Sequence, residues 1–493
     1  MYTLCTILLL TAVADTNAQT TIAPQSTGFN SSFALLRAQI EKASLSEDMA
    51  ANLNTVINFD RSQLANGGPR EDAFYALPPL SPNATGPPPP GTLLKVQPYT
   101  DPAPFAIPPN TALSRILYTT TNTNGTVVPA SAFVLWPFEA RRFSGSGSGG
   151  YSAGKGEGAP IVLWMHGTSG FFTSAAPSAH RALWYADAAP FTLAQAGYVV
   201  VGPDYAGLGV SKSWDGSSVR HEYLLSSASA RDALNSLRAA REAFAGLLGP
   251  QFVAMGHSQG GGVAWGVAEA LASDEFADLT VGYLGTIAAS PTTDLFGGIP
   301  EFIVPWVGMM LDTIFPGFEL SQWLTPLGLA RTELLGEIEG GIAASQQLYL
   351  TGEAVVREDY RDTWYADAYA KLANAGRKPF RGPLLVVQGT EDVYVPYDVT
   401  SATVRDTCEV NPESDLEYLV MNGTQHVPAL HATRQTWLRW IENRFEGRPL
   451  VKTGCVRSDL ESFLPVEQYQ NTGKSFLQWA GAPQYSYEIP LGL

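Results

Sequence analysis

Cysteine is nearly missing from this chain: there are three in 493 residues, and Cys5 sits at the extreme N-terminus. A disulfide-dense scaffold is therefore excluded. Neither Cys-x-x-Cys nor His-x-x-x-His spacing occurs, so no metal site and no cofactor is expected. Charge is scarce as well. Asp, Glu, Lys and Arg make up 15% of residues, low for a cytosolic protein, and 46 acids against 30 bases leave a formal net charge of −16. A polyanion such as nucleic acid would be repelled by that balance. Beyond the first residues no uncharged apolar run reaches the ~20 residues of a membrane span, so no stable membrane anchor is expected. Transient contact with a lipid interface stays open. Histidine is rare too, with six copies.

What the chain does have begins at residues 3–14, Thr-Leu-Cys-Thr-Ile-Leu-Leu-Leu-Thr-Ala-Val-Ala. This run is too short to span a membrane, and small residues follow it, which suits cleavage after Ala14 or Ala18. Residues 1–18 thus read as a signal peptide, although the usual basic flank is missing. A secreted, extracellular protein is implied. The two cysteines left, Cys408 and Cys455, form an even pair in that context, and a disulfide is their natural use. Four Asn-x-Ser/Thr sequons, at Asn30, Asn83, Asn124 and Asn422, fit the same compartment.

Residues 19–93 read as a peripheral extension, with a helix near 33–56 and Pro-rich punctuation at Pro87-Pro-Pro-Pro90. Core pattern starts at 94. Strand-like alternation covers 92–97, 114–120 and 127–136, with a hairpin turn at Asn124-Gly125, and Ser144-Gly-Ser-Gly-Ser-Gly-Gly150 reads as a surface loop. From 159 continuous apolar strands alternate with helices: Pro160-Ile-Val-Leu-Trp-Met165, Gly197-Tyr-Val-Val-Val-Gly202, a helix near 228–246, then Phe252-Val-Ala-Met255. That rhythm predicts an α/β protein, a mostly parallel sheet with helices on both faces. It breaks at 291–380, an aromatic-rich helical insertion. It resumes over 381–450 with Pro383-Leu-Leu-Val-Val-Gln388 and Leu416-Glu-Tyr-Leu-Val-Met421, and 451–493 remains as a tail.

The chemistry centres on Gly256-His-Ser-Gln-Gly260, where an apolar strand runs into Gly-x-Ser-x-Gly and a small-residue helix follows. Such a strand–turn–helix lifts a serine onto a tight turn, which makes Ser258 a candidate nucleophile. The bland alternative is a Gly-rich turn with Ser258 merely exposed. A serine hydroxyl needs a base, and the base an orienting acid. Only His426 and His431 lie downstream. His426 follows a strand in Gly-Thr-Gln-His-Val-Pro428, whereas His431 falls in the next helix. The acid comes from Gly389-Thr-Glu-Asp392, after a buried strand, with Asp392 favoured over Glu391; a helix-capping acid is the alternative. Backbone N–H groups must stabilise the oxyanion. Gln259, next to the serine, is one expected donor, and Thr168 in His166-Gly-Thr-Ser-Gly170 the other. Asp204 is expected to be structural. His180, His221 and His257 read as surface, loop and elbow-packing residues. No Lys-Ser/Thr follows Gly260-Gly-Gly262, so a phosphate loop is not supported.

Several separate motifs resemble the fungal secretory lipases of the Candida lipase A type: Trp164-x-His-Gly-Thr-x-Gly170 with Ala176-Pro-Ser178, Ala196-Gly-Tyr-Val-Val-Val-Gly-Pro-Asp-Tyr-x-Gly-Leu-Gly209, Gly256-His-Ser-Gln-Gly-Gly261 and Gly389-Thr-x-Asp-x-x-Val-Pro396. The likeness spans roughly 90–450. It implies an α/β-hydrolase fold with the triad Ser258, Asp392 and His426, and a helical lid at about 291–380. Members of that family often carry Cys before Ala-Pro-Ser; here position 175 is Ala, so that bridge is expected to be missing.

The expected function is a serine carboxylic-ester hydrolase of the lipase or carboxylesterase type, acting on small-molecule or lipid esters. A deacetylase or esterase of a fungal secondary metabolite, and an acyltransferase on the same triad, are the alternatives. The apolar lid stretch 302–324 predicts an acyl slot lined by Trp306, Met309, Met310 and Phe315, suited to medium and long chains. A buried helix pair that enlarges the core is the competing reading.

Overall fold

A computed structural model describes residues 33–143, 158–298 and 301–469. The expected signal peptide, the sequon at Asn30 and the Ser/Gly loop at 144–150 lie outside the described residues. Ten strands form one sheet: β1 (Leu93–Gln97), β2 (Ala112–Thr121), β3 (Val127–Trp136), β4 (Ala159–Met165), β5 (Val199–Pro203), β6 (Leu248–His257), β7 (Tyr283–Ala289), β8 (Leu384–Gly389), β9 (Leu416–Met421) and β10 (Cys455–Leu460). Their spatial order is β1-β2-β3-β5-β4-β6-β7-β8-β9-β10. β1, β2, β3 and β5 pair antiparallel, and everything from β5 to β10 is parallel.

Strand composition explains the layering. β4, β5 and β8 are buried along nearly their whole length, because helices cover both faces. Helices Ser226–Ala243 and Gln259–Ala270 bury small residues such as Ala233, Ala240, Ala264 and Ala268 on one side of the sheet. The other side carries Trp164, Met255, Ile287 and Leu385 under helix Arg434–Phe445 and the insertion. Asn124-Gly125 forms the expected hairpin turn, with Thr121 facing Val127.

Two parts of the chain are less peripheral than the sequence suggested. Helix Glu47–Ser62 buries Leu53, Val56, Ile57 and Phe59 in the same cluster as the insertion helices Val304–Leu311, Pro326–Ile338 and Ile342–Tyr349. The extension is thus part of the core's outer layer. The tail contributes β10, which pairs with β9 and is tied by a Cys408–Cys455 disulfide to helix Tyr397–Val410. Among the described residues no helix is long and apolar enough to cross a membrane.

Candidate active site

Parallel strands present their carboxyl ends to one edge of the sheet, and the residues singled out from the sequence gather there. Ser258 follows β6, Asp392 lies three residues past β8, His426 five past β9 and Thr168 three past β4.

Ser258 has φ 61° and ψ −123°, a left-handed conformation that costs a non-glycine residue roughly 1–3 kcal/mol. The fold holds it there. Its N–H donates to the Ala289 carbonyl at 2.9 Å, and its own carbonyl accepts from Gly262 and Thr292. Two glycines make the turn possible: a Cβ at 256 would fall 2.0 Å from the Gly260 carbonyl oxygen, and one at 260 would fall 2.1 Å from that of Met165. Gln259 opens the following helix, so its N–H has no acceptor within the helix.

His426 Nδ1 lies 2.7 Å from Asp392 Oδ2. The other carboxylate oxygen, Oδ1, accepts backbone N–H groups from Tyr394 at 3.0 Å and Val395 at 2.8 Å, and Gln388 Nε2 donates to Oδ2 at 3.2 Å. Burial alone would raise the Asp392 pKa. The facing imidazole and these donors outweigh it and hold the carboxyl below its ordinary value. Glu391 is exposed, and its N–H donates to the Thr424 carbonyl, which ties the acid loop to the histidine loop. His431 lies in helix Pro428–Ala432, where Nδ1 accepts from Arg434 at 3.1 Å, and it does not line the cavity described next.

Ser258, His426 and Thr168 line one cavity of about 90 Å³, closed mainly by Trp184, Tyr185, Tyr223, Phe302, Ile303 and Trp306. Of the four residues expected to form the slot, Trp306 does line it. Met309, Met310 and Phe315 do not. Met310 is fully buried in the core, Met309 faces a separate surface groove beside Arg220, and Phe315 packs on Trp364 and Tyr365. A helix apolar all round turns most of its faces into the core, which is why the reading by composition overshot.

The remaining histidines are buried. His180 is 7% exposed rather than on the surface; its Nδ1 accepts from Ala182 N–H at 3.2 Å and Trp184 N–H at 3.4 Å. His166 stacks on Tyr205, and burial pushes its pKa down to about 4. His221 Nε2 accepts from the Gln259 side chain at 3.0 Å, and its pKa is likewise pushed down to about 3, mainly by burial. His257 contacts the Tyr185 hydroxyl through Nδ1 and the His426 main chain through Nε2. The wall formed by Trp184 and Tyr185 carried no recognisable signal in the sequence. Asp204 is structural, as expected: its carboxylate accepts from Ser178 N at 2.7 Å and from the hydroxyls of Ser131 and Ser178, and burial raises its pKa to about 6. No cluster of three or more potential metal ligands occurs among the described residues.

The alpha/beta hydrolase family model matches residues 161–436, more than half of the chain. The protein belongs to the alpha/beta hydrolase family. Similar solved structures include Candida antarctica lipase A in its closed state, at 16% identity and TM-score 0.59, covering 86% of this chain and 95% of that one. They also include the rice cell wall degrading esterase LipA from Xanthomonas oryzae, at 17% identity and TM-score 0.54, covering 72% of this chain and 98% of that one. At such identities the likeness bears on the fold alone. No curated protein sequence matches the chain.

Proposed function

We propose that this alpha/beta hydrolase is a secreted serine carboxylic-ester hydrolase that works through an acyl-serine intermediate. The observation that carries the reading is His426, 2.7 Å from Asp392, lining the same small cavity as Ser258 on its left-handed turn. Ser258 Oγ attacks the ester carbonyl while His426 Nε2 takes its proton. Asp392 keeps the opposite nitrogen protonated and stabilises the imidazolium that forms. Backbone N–H groups of Gln259 and Thr168 bind the oxyanion. Collapse expels the alcohol, which receives the proton from His426, and water then releases the acid by the same steps in reverse order.

A second observation favours a short acyl group. Ligand sites usually measure roughly 300–1,000 Å³, and this cavity is far smaller and lined mostly by aromatic and aliphatic side chains. Within the ester-hydrolase reading, an esterase or deacetylase is therefore favoured over a long-chain lipase. The helical insertion over 291–380 caps the cavity and acts as its lid. Extracellular location is supported by the Cys408–Cys455 bridge and by the exposure of Asn83, Asn124 and Asn422 at their sequons. The test is turnover of p-nitrophenyl esters from acetyl to palmitoyl. Activity confined to short chains fits the reading, and no turnover of any member overturns it.

A further inference from the structure

A larger cavity of about 580 Å³ lies against the catalytic one, and Trp184 is a wall of both. The loop after β4 also serves both, giving Thr168 to the first and Ser169 and Thr173 to the second. Helix Glu47–Ser62 supplies Asp60 and Arg61, and the turn joining two insertion helices supplies Gly341. The shared wall is held rigidly. Leu183, Trp184 and Ala186 have φ of 49°, 67° and 43°, three left-handed non-glycine residues within four positions, and the His180 ring accepts the Trp184 N–H. Such strain persists only where surrounding structure imposes it, and it concentrates at functional sites.

The lining has a definite chemistry. Both carboxyl oxygens of Asp60 are buried, with no side-chain hydrogen-bond partner among the described residues, and the hydroxyls of Ser169 and Thr173 are buried and unpartnered there too. Gly341 packs closely against the acid: a Cβ at that position would lie 2.9 Å from Asp60 Oδ2. Burial, opposed only by the Gly341 N–H, pushes the Asp60 carboxyl well above its ordinary pKa, which favours the neutral acid able both to donate and to accept. Arg70 is paired to Glu339, so both charge signs are present and neither dominates. Phe33 and Trp184 add aromatic faces. Unmet donors and acceptors, balanced charge and aromatic walls suit a neutral molecule rich in hydroxyls, and the volume falls within the range of small-molecule sites.

We propose that this second cavity is a subsite for a polyhydroxylated alcohol, the alcohol half of an ester whose short acyl half enters the catalytic cavity. The proposal rests on the serine ester-hydrolase reading and adds to it the class of alcohol. Asp60 and Ser169 hydrogen-bond the alcohol's hydroxyls, and Trp184 separates the polar half of the substrate from the apolar one.

Sorbitol monoacetate and hexyl acetate test this, since both carry one acetyl group on a six-carbon alcohol and differ in its hydroxyls. Wild-type enzyme is expected to show kcat/KM about tenfold higher for sorbitol monoacetate, mainly through KM. Asp60→Leu and Ser169→Ala should each collapse that ratio towards one, with p-nitrophenyl acetate turnover as the reference for the active centre and Tm as the check on folding. Free sorbitol that inhibits hexyl acetate hydrolysis in wild type but not in Asp60→Leu would support the same chemistry from a free polyol. No preference for sorbitol monoacetate together with no effect of free sorbitol would overturn the proposal, as would a preference that both variants keep. If p-nitrophenyl acetate is not turned over, the ester reading itself fails. The cavity is then still tested by whether sorbitol raises the Tm of wild type and not that of Asp60→Leu.

Discussion

His257 Nε2 lies 3.1 Å from the main-chain carbonyl oxygen of His426, so the residue before the candidate nucleophile grips the candidate base by its backbone. A carbonyl can only accept, which places the imidazole proton on Nε2. Nδ1 is then the acceptor for the Tyr185 hydroxyl at 2.6 Å. Burial first, and then the nearby His426, push the His257 pKa well below its ordinary value, and the ring is neutral. Its charged and titratable neighbours are His426, Asp392, His431 and Tyr185.

This grip makes His257 a positioning residue. His257→Phe keeps an aromatic ring but frees the His426 main chain, and kcat should fall about 10- to 100-fold with KM changed little. Tyr185→Phe should act in the same direction, and the double variant should lose less than the sum of the two, because both act on one imidazole. A His257→Phe enzyme with wild-type kcat would remove the positioning role.

The cavity predicts chain-length selectivity. Trp306 closes one side and is anchored by its Nε1–H to Ser345 Oγ at 2.7 Å. Trp306→Leu should move the preferred p-nitrophenyl ester from acetyl or propionyl towards butyryl or hexanoyl, each added buried CH₂ contributing up to about 0.8 kcal/mol. An unchanged chain-length profile would mean that the acyl group lies elsewhere.

Much of this was legible in the sequence. The parallel sheet announced itself through uninterrupted apolar strands, and the choice of candidate base was narrow because only two histidines follow Ser258. Asp392 was favoured over Glu391 by its place on the loop, and Asp392 is the residue of the two that contacts His426. Other features were hidden for physical reasons. β10 is an edge strand with only Ser458 buried, so its Cys-Val-Arg-Ser-Asp-Leu sequence shows no hydrophobic alternation. Helix Glu47–Ser62 owes its burial to insertion helices almost 300 residues away, which local periodicity does not report. The Trp184 and Tyr185 wall depends on left-handed backbone at residues whose side chains do not advertise it.

Two buried acids give the fold a pH dependence. Burial raises Asp204 to about 6 and Asp232 to about 7, the latter with Thr120 and Ala206 N–H as donors. An acid with a raised folded pKa binds more protons in the native state, so stability falls as pH rises from the unfolded value near 4 through the folded one. Buried histidines such as His166 and His221, pushed down to about 4 and about 3, carry the opposite sign below about pH 6.5, so the acid's share is read as a difference: the Tm of wild type relative to Asp232→Asn should decline between about pH 5 and 8. A depressed acid such as Asp392 has the opposite sign: its contribution is present above about pH 4 and disappears in stronger acid. A Tm of wild type relative to Asp232→Asn that rises steadily from pH 5 to 8 would contradict the assignment.

The Cys408–Cys455 bridge spans 47 residues that include β9 and the His426 loop. Replacing both cysteines by serine should lower stability by roughly 2–4 kcal/mol in denaturant unfolding. Two free thiols in the denatured, unreduced wild-type protein would rule the bridge out.

Covalent labelling with a fluorophosphonate followed by peptide mass spectrometry decides whether Ser258, served by His426 and Asp392, is the nucleophile. One adduct is expected, on Ser258, with labelling and ester turnover lost together in Ser258→Ala and both greatly slowed in His426→Ala. Stoichiometric labelling of a different residue, or a Ser258→Ala enzyme that keeps wild-type turnover, would contradict it.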